Sequence, residues 1–235
     1  MHDDELERLL APLPSGRHGL PREQVVRSQR LRILTAMIAV AGADGYAATT
    51  VTSVLARASV SRKTFYEQFA DREHCFLAAA EAVLDRALDG LRAAYAPAGP
   101  WPERLRRTLA WGLDALAAHE AEARVVLVEL PAAGPRALAL RDRALHELTP
   151  LFAPGFDAAP AGVAVPPSMP VAVVGAVGEL LGARIRHGGV AELPALLPDL
   201  LYCALAPFTG PIAAAEASAP DRPRRVRRGR AAARH

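Results

Sequence analysis

Residues 49–69 read TTVTSVLARASVSRKTFYEQF, and this stretch decides the fold because it encodes two short helices joined by a tight turn. Val51, Val54, Leu55 and Ala58 recur at the i, i+3, i+4, i+7 spacing of one buried helix face. A hydroxyl of Thr49 or Thr50 can accept from the unpaired amides at the start of that helix. Ser59-Val60-Ser61 interrupts it, and Ser61 is the N-cap expected for a second helix beginning at Arg62. Two helices so short and so close cross steeply. That is the helix-turn-helix arrangement, in which the second helix lies in the major groove of DNA with its first residues at base edges.

Arg62, Lys63 and Thr64 occupy that first turn. Arg and Lys donate to the acceptor edge of guanine, and a Thr methyl contacts the methyl of thymine. Lys63 is the sole lysine of the chain. Tyr66 and Gln68 carry polar tips suited to phosphate oxygens, while Phe65 and Phe69 supply an apolar anchor. Asp71 is placed to cap a third helix, with Arg72 beside the cap.

With TTV at 49–51, LA at 55–56, VSRKTFYEQF at 60–69 and ADRE at 70–73, and with Gly45-Tyr46 ahead of them, the segment from about Arg22 to Phe76 resembles the DNA-binding region of the tetracycline-repressor (TetR) family of bacterial regulators. The resemblance implies an all-α fold: an N-terminal three-helix helix-turn-helix domain and a larger helical domain for ligand binding and dimerisation. It implies that Arg62, Lys63 and Thr64 read bases, and that Thr50, Tyr66, Gln68 and Arg72 hold the phosphate backbone. It also implies three partners: a double-stranded, pseudo-palindromic operator, a small-molecule effector that releases it, and a second copy of the chain. The sequence departs from the family's pattern at one place, where the turn usually carries Gly and this chain has Ser59. A Cβ there is strained wherever φ is positive.

Charge is distributed in support of this reading. The 235 residues carry a net charge of +3, but residues 17–72 hold nine basic and four acidic side chains, whereas residues 73–210 hold eleven basic and fifteen acidic. Residues 211–235 hold seven Arg against two acids, and a basic helix-turn-helix segment ahead of an acidic larger one is the footprint of affinity driven by counterion release from DNA. Cys75 and Cys203 form no disulfide framework; their apolar neighbours predict two buried free thiols in a reducing cytoplasm. The start, MHDDELERLL, is acidic where a secretory leader is basic. The apolar region 163–185 is cut by Pro166, Pro167 and Pro170 and carries Glu179 and Arg184, so no membrane span is expected.

The domains expected are a flexible arm at 1–19, the helix-turn-helix domain at 20–72, the helical ligand-binding and dimerisation domain at 73–210, and a disordered Arg-rich tail at 211–235. Pro21 suits the first position of a helix whose stripe of Val26, Ile33, Leu34, Met37, Ile38 and Ala41 ends before Gly45. Arg27, Arg30 and Arg32 fall on its polar side and read as solvated. A long helix is predicted from Asp71 to Tyr95, and others over 102–118, 121–130, 135–152, 170–187 and 193–205. The last two are more apolar than one subunit's core needs. Gly175, Ala176, Gly178 and Gly182 would let another helix come close, and this pair resembles the family's four-helix dimer interface.

No metal-ligand spacing, phosphate-binding glycine loop or nucleophile elbow is present, so no catalytic residue, metal site or cofactor is assigned and the chain is read as not an enzyme. Trp111, Leu116, Glu129, Phe152 and Glu179 are candidates for the wall of an effector pocket. The competing reading is a helical ligand-binding or interaction protein whose small basic domain attracts DNA without sequence preference. Salt separates the two, because non-specific binding collapses as salt rises and operator reading keeps its specificity ratio.

Overall fold

The computed structural model describes residues 21–219, and among them there are helices and no strand. The arm expected at 1–19 lies outside the described residues. The head is built from α1 (Arg22–Asp44), α2 (Val51–Ala58) and α3 (Arg62–Tyr66). Its joints are those the sequence predicts. Gly45 closes α1 at φ 83°, Thr50 caps α2 by accepting from the Ser53 amide, Ser61 caps α3 by accepting from the Thr64 amide, and Asp71 caps the next helix by accepting from the His74 amide. Ser59 adopts φ 52°, ψ 48°, the one left-handed residue other than glycine among those described.

From the head, α4 (Arg72–Tyr95) leads into the body, followed by α5 (Trp101–Ala118). The next helix, α6, opens as Glu120–Arg124, passes into a π-helical turn at Val125–Glu129 and closes with Leu130–Ala132. Pro131 explains the turn. It has no N–H to give to the Leu127 carbonyl, and the ladder shifts so that the Leu130 amide donates five residues back, to Val125. Then come α7 (Pro135–His146), a 3₁₀ turn at Thr149–Phe152, α8 (Ala153–Asp157), α9 (Met169–Arg186), a 3₁₀ stretch at Val190–Leu196, α10 (Leu197–Thr209) and α11 (Pro211–Ser218).

Head and body share a core. Ile33, Met37 and Ala41 of α1, Val54 of α2, Phe65 and Phe69 of the α3 segment, and Phe76 and Ala79 of α4 form one buried cluster with Val125 and Leu130 of α6. Two further clusters fill the body. Trp101, Phe152, Leu205 and Phe208 centre one, with the Trp101 and Phe208 rings packed edge to face at 5.4 Å. Leu113, Ile185, Leu193 and Leu200 centre the other.

Several expectations are corrected. The predicted disordered tail is helical in its first eight residues: α11 lies against α10 with Ala214 and Ser218 buried, and Arg106 of α5 donates to the carbonyls of Ala217 and Ala219. Small side chains let it pack without the large apolar groups that would mark it in the sequence. The Arg-rich remainder lies outside the described residues. Cys75 is buried and its thiol is pushed up to about 12 by desolvation, with Arg30 pulling the other way, but Cys203 is exposed. Val26 is exposed rather than part of the core stripe of α1. Val190–Thr209 is long and apolar enough to cross a membrane by length and composition. In the fold it is a 3₁₀ stretch and a helix in succession, with Leu193, Leu200, Leu201, Leu205 and Phe208 buried in the body.

The head meets the body closely at Gly42, where a Cβ would fall 2.7 Å from Cα of Ala121. Both sides are helix backbone, so neither can yield cheaply. Replacing Gly42 with Ala gains roughly 1 kcal/mol of helix propensity, but overpacking at rigid backbone costs about 1–3 kcal/mol. The net expectation for Gly42→Ala is lower stability in urea unfolding; a midpoint at or above that of the parent protein would refute the close head–body seat.

Candidate nucleic-acid interface

The candidate recognition element, α3, is five residues of helix held at one end by a cap and underneath by an aromatic anchor. Ser61 Oγ accepts from the Thr64 amide at 3.0 Å and lies 2.9 Å from Thr64 Oγ1. Phe65 is fully buried, 5.6 Å from Phe69 between ring centroids, and the Arg30 guanidinium sits 4.6 Å above the Phe69 ring. The outer side of α3 is therefore free to carry polar groups. Arg62 and Lys63 are exposed there, and Tyr66 is half-exposed.

Their electrostatics differ from those of the body. Arg62 donates only to the Thr52 hydroxyl, at 3.3 Å. Lys63 lies 3.9 Å from Glu67, with its side chain 87% exposed; in water such a pair holds the ammonium weakly. In the body most cations are matched: Arg86 to Glu122, Arg92 to Glu147, Arg143 to Glu81, Arg184 to Glu192 and Arg186 to Glu179. Among the described residues, the exposed cations held weakly or not at all are Arg62 and Lys63 of α3, Arg57 of α2 and Arg22 at the start of α1.

Three predicted phosphate residues sit as follows. Thr50 is exposed on the α2 cap, its hydroxyl tied into a capping box with Ser53. Gln68 is half-buried, and its Oε1 is buried without a hydrogen-bond partner. Tyr66 packs edge-on to Phe65 at 5.3 Å and leaves half of its surface open. The fourth, Arg72, is engaged inside the protein. Its Nη1 donates to the carbonyls of Thr49 (2.6 Å) and Tyr46 (3.3 Å), and its guanidinium lies 4.4 Å above the Tyr46 ring. That ring stacks on Phe76 at 4.2 Å. The visible work of Arg72 is to tie the loop before α2 to the start of α4.

Arg30 and Arg32, read from sequence as solvated, are likewise engaged: Arg30 over Phe69, and Arg32 with the carbonyls of Ala58 and Ser59. These partners lie 23–39 positions away in the chain, so no local spacing could reveal them.

The five pocket candidates do not meet. Glu129 reaches the head, where Oε2 accepts from the Tyr46 amide at 2.8 Å, beside Arg124, whose Nε donates to the Gly42 carbonyl at 2.9 Å. Trp111 lies half-exposed against Gly90, Leu116 packs at the edge of the Leu113 cluster, Phe152 is inside the Trp101 cluster, and Glu179 is exposed and paired with Arg186. On the outer side of the body a groove of about 330 Å³ runs between α9 and α10, lined by Leu180, Ala183, His187, Leu196 and Asp199 among others. Val171, Leu180 and Tyr202 are exposed on the same two helices, and open space faces Gly175 and Gly178.

Residues 33–79 match the family described as bacterial regulatory proteins, tetR family. No curated protein matches the chain. Among solved structures, the fatty acid degradation regulator FadR of Bacillus halodurans is 19% identical with a TM-score of 0.65, covering 74% of this chain and 96% of its own. FadR of Bacillus subtilis, solved with stearoyl-CoA, is 17% identical with a TM-score of 0.66, covering 77% and 98%. A tetR-family regulatory protein of Rhodococcus RHA1 is 24% identical with a TM-score of 0.60, covering 77% and 96%. At these identities the likeness is one of fold, and it extends through both head and body.

A division of labour along α3 has a direct check. Lys63→Ala should cost about 1–3 kcal/mol on preferred sequences and relax base preference, whereas Tyr66→Phe should weaken binding to all duplexes evenly. Equal losses on every sequence for both variants, measured by fluorescence anisotropy on a duplex panel, would refute the assigned roles.

Proposed function

We propose, from the match of residues 33–79 to the tetR family of bacterial regulatory proteins, that this chain is a member of that family and a sequence-specific repressor that occludes a pseudo-palindromic operator in the cytoplasm and is released by a small-molecule effector. The observation that carries the reading is the pair of exposed cations, Arg62 and Lys63, at the capped tip of a helix whose other side is anchored by Phe65. Arg62, Lys63 and Thr64 read base edges; Thr50, Tyr66 and Gln68 serve the phosphates, and Arg72 supports them by fixing the cap of α2. Release by an effector is favoured by the joint between body and head, because a shift of α6 acts on Tyr46 and Gly42 through Glu129 and Arg124.

The reading also takes the chain to be a homodimer through α9 and α10. Exposed Val171, Leu180 and Tyr202, the groove between the helices and the open Gly175 and Gly178 make a face that a second copy can cover by two-fold symmetry. The segments expected at about 170–187 and 193–205 carry it. Stearoyl-CoA, the ligand in the Bacillus subtilis FadR structure, is the first compound to test as a releasing effector.

Selection of bound sequences from a random duplex pool at roughly 0.15 M salt tests the reading. One inverted-repeat motif is the expected outcome; no motif, with binding that vanishes as salt rises, would instead favour a helical ligand-binding or interaction protein with only non-specific attraction to DNA. The dimer has its own test. Leu180→Glu should give a monomer in sedimentation velocity and abolish binding to the full repeat, and a dimer unchanged by this substitution would move the interface elsewhere.

A further inference from the structure

The turn between α2 and α3 is the place where this chain departs most from what a left-handed residue prefers, since Ser59 holds φ 52° with a Cβ. The end of α2 leaves carbonyls without helical partners. Two amides turn back onto one of them, Ser59 and Val60 both donating to Leu55, so the carbonyls of Ala58 and Ser59 need partners from elsewhere. Arg32 supplies them from α1. Its Nη2 donates to Ala58 and, at 2.9 Å, to Ser59. The side chain is half-buried. Its charge sits at the negative end of the α2 dipole, where a cation is favoured.

We propose that Arg32 is a positioning residue for DNA reading, clamping the strained Ser59 turn so that α3 is presented at one fixed angle. The clamp sits between two rigid bodies. On one side is α1, seated on the body at Gly42; on the other is α3, which starts only three residues after Ser59. A rotation at Ser59 would swing Arg62 and Lys63 across the groove, and Arg32 opposes that rotation by bonding the carbonyls of the two peptide units that flank the Ser59 Cα, those of Ala58 and of Ser59 itself. This inference rests on the DNA-reading proposal for its consequence, though not for the clamp itself.

The test uses the full chain with Arg32→Ala, Arg32→Lys, Ser59→Gly and the double variant Arg32→Ala/Ser59→Gly. Hydrogen exchange at the amides of residues 60–64 reads the clamp without DNA. Since hydrogen bonds from a charged donor are among the stronger ones, loss of both should raise exchange there roughly tenfold, with the amides of α4 unchanged. Affinity for the selected repeat should fall relative to a scrambled duplex, while the slope of log K against log salt stays as in the parent protein. Glycine at 59 removes the strain, so the double variant should recover most of the lost discrimination, and Arg32→Lys part of it. A salt slope shallower by about one would make Arg32 a phosphate contact instead. Faster exchange spread over the whole head, or no recovery from glycine at 59, would make it a merely structural residue. If the parent protein prefers no sequence, that failure falls on the DNA-reading proposal, and the exchange measurement decides the clamp alone.

Discussion

A helix of five residues cannot stand alone, because nucleating the first turn fixes several backbone angles for a single hydrogen bond. The head depends on how α3 escapes this limit. Phe65 and Phe69 are buried among Ile33, Met37, Val54 and Phe76, and each such ring contributes about 1.5–3 kcal/mol by leaving water, enough to offset nucleation. The caps then settle where the helix starts. With the anchor on the inner side and the cap at the helix end, the outer side is left to polar and charged residues, so the exposed cations and the rings that hold the helix never compete for one face.

The same economy appears in the charges. Arginine is abundant throughout the chain, yet most body arginines bond to a carboxylate or a carbonyl. Even in the head Arg30, Arg32 and Arg72 serve the fold. Among the described residues, what distinguishes the outer side of α2 and α3 is thus the weak hold on Arg57, Arg62 and Lys63, more than the number of cations. A cation already bonded within the protein adds little to counterion release, so the salt dependence of binding should reflect the few free ones.

Local signals were legible in the sequence and distant ones were not. Thr50, Ser61 and Asp71 were readable as caps because a cap acts on amides three residues away, and Ser59 was readable as the strained turn because its neighbours fix its place. The roles of Arg32, Arg72 and Glu129 depend on partners 23–83 positions away, so an arginine on a polar helix face and a glutamate near apolar residues gave no hint of them. Helix α11 was missed for another reason: alanines and one isoleucine after a proline resemble the start of a tail, and only the surface of α10 makes them a packing face.

Pro131 connects these levels. By removing one amide it converts the middle of α6 into a π-helical turn, and the Leu127 carbonyl it displaces comes within 3.0 Å of where a Cβ on Gly182 would be. Glycine at 182 allows α9 to approach there. The same turn ends at Glu129, which holds the Tyr46 amide, and begins after Arg124, which holds the Gly42 carbonyl. One irregular segment therefore touches the helix that carries the outer apolar face of the body, the last turn of α1 and the start of the loop that follows it.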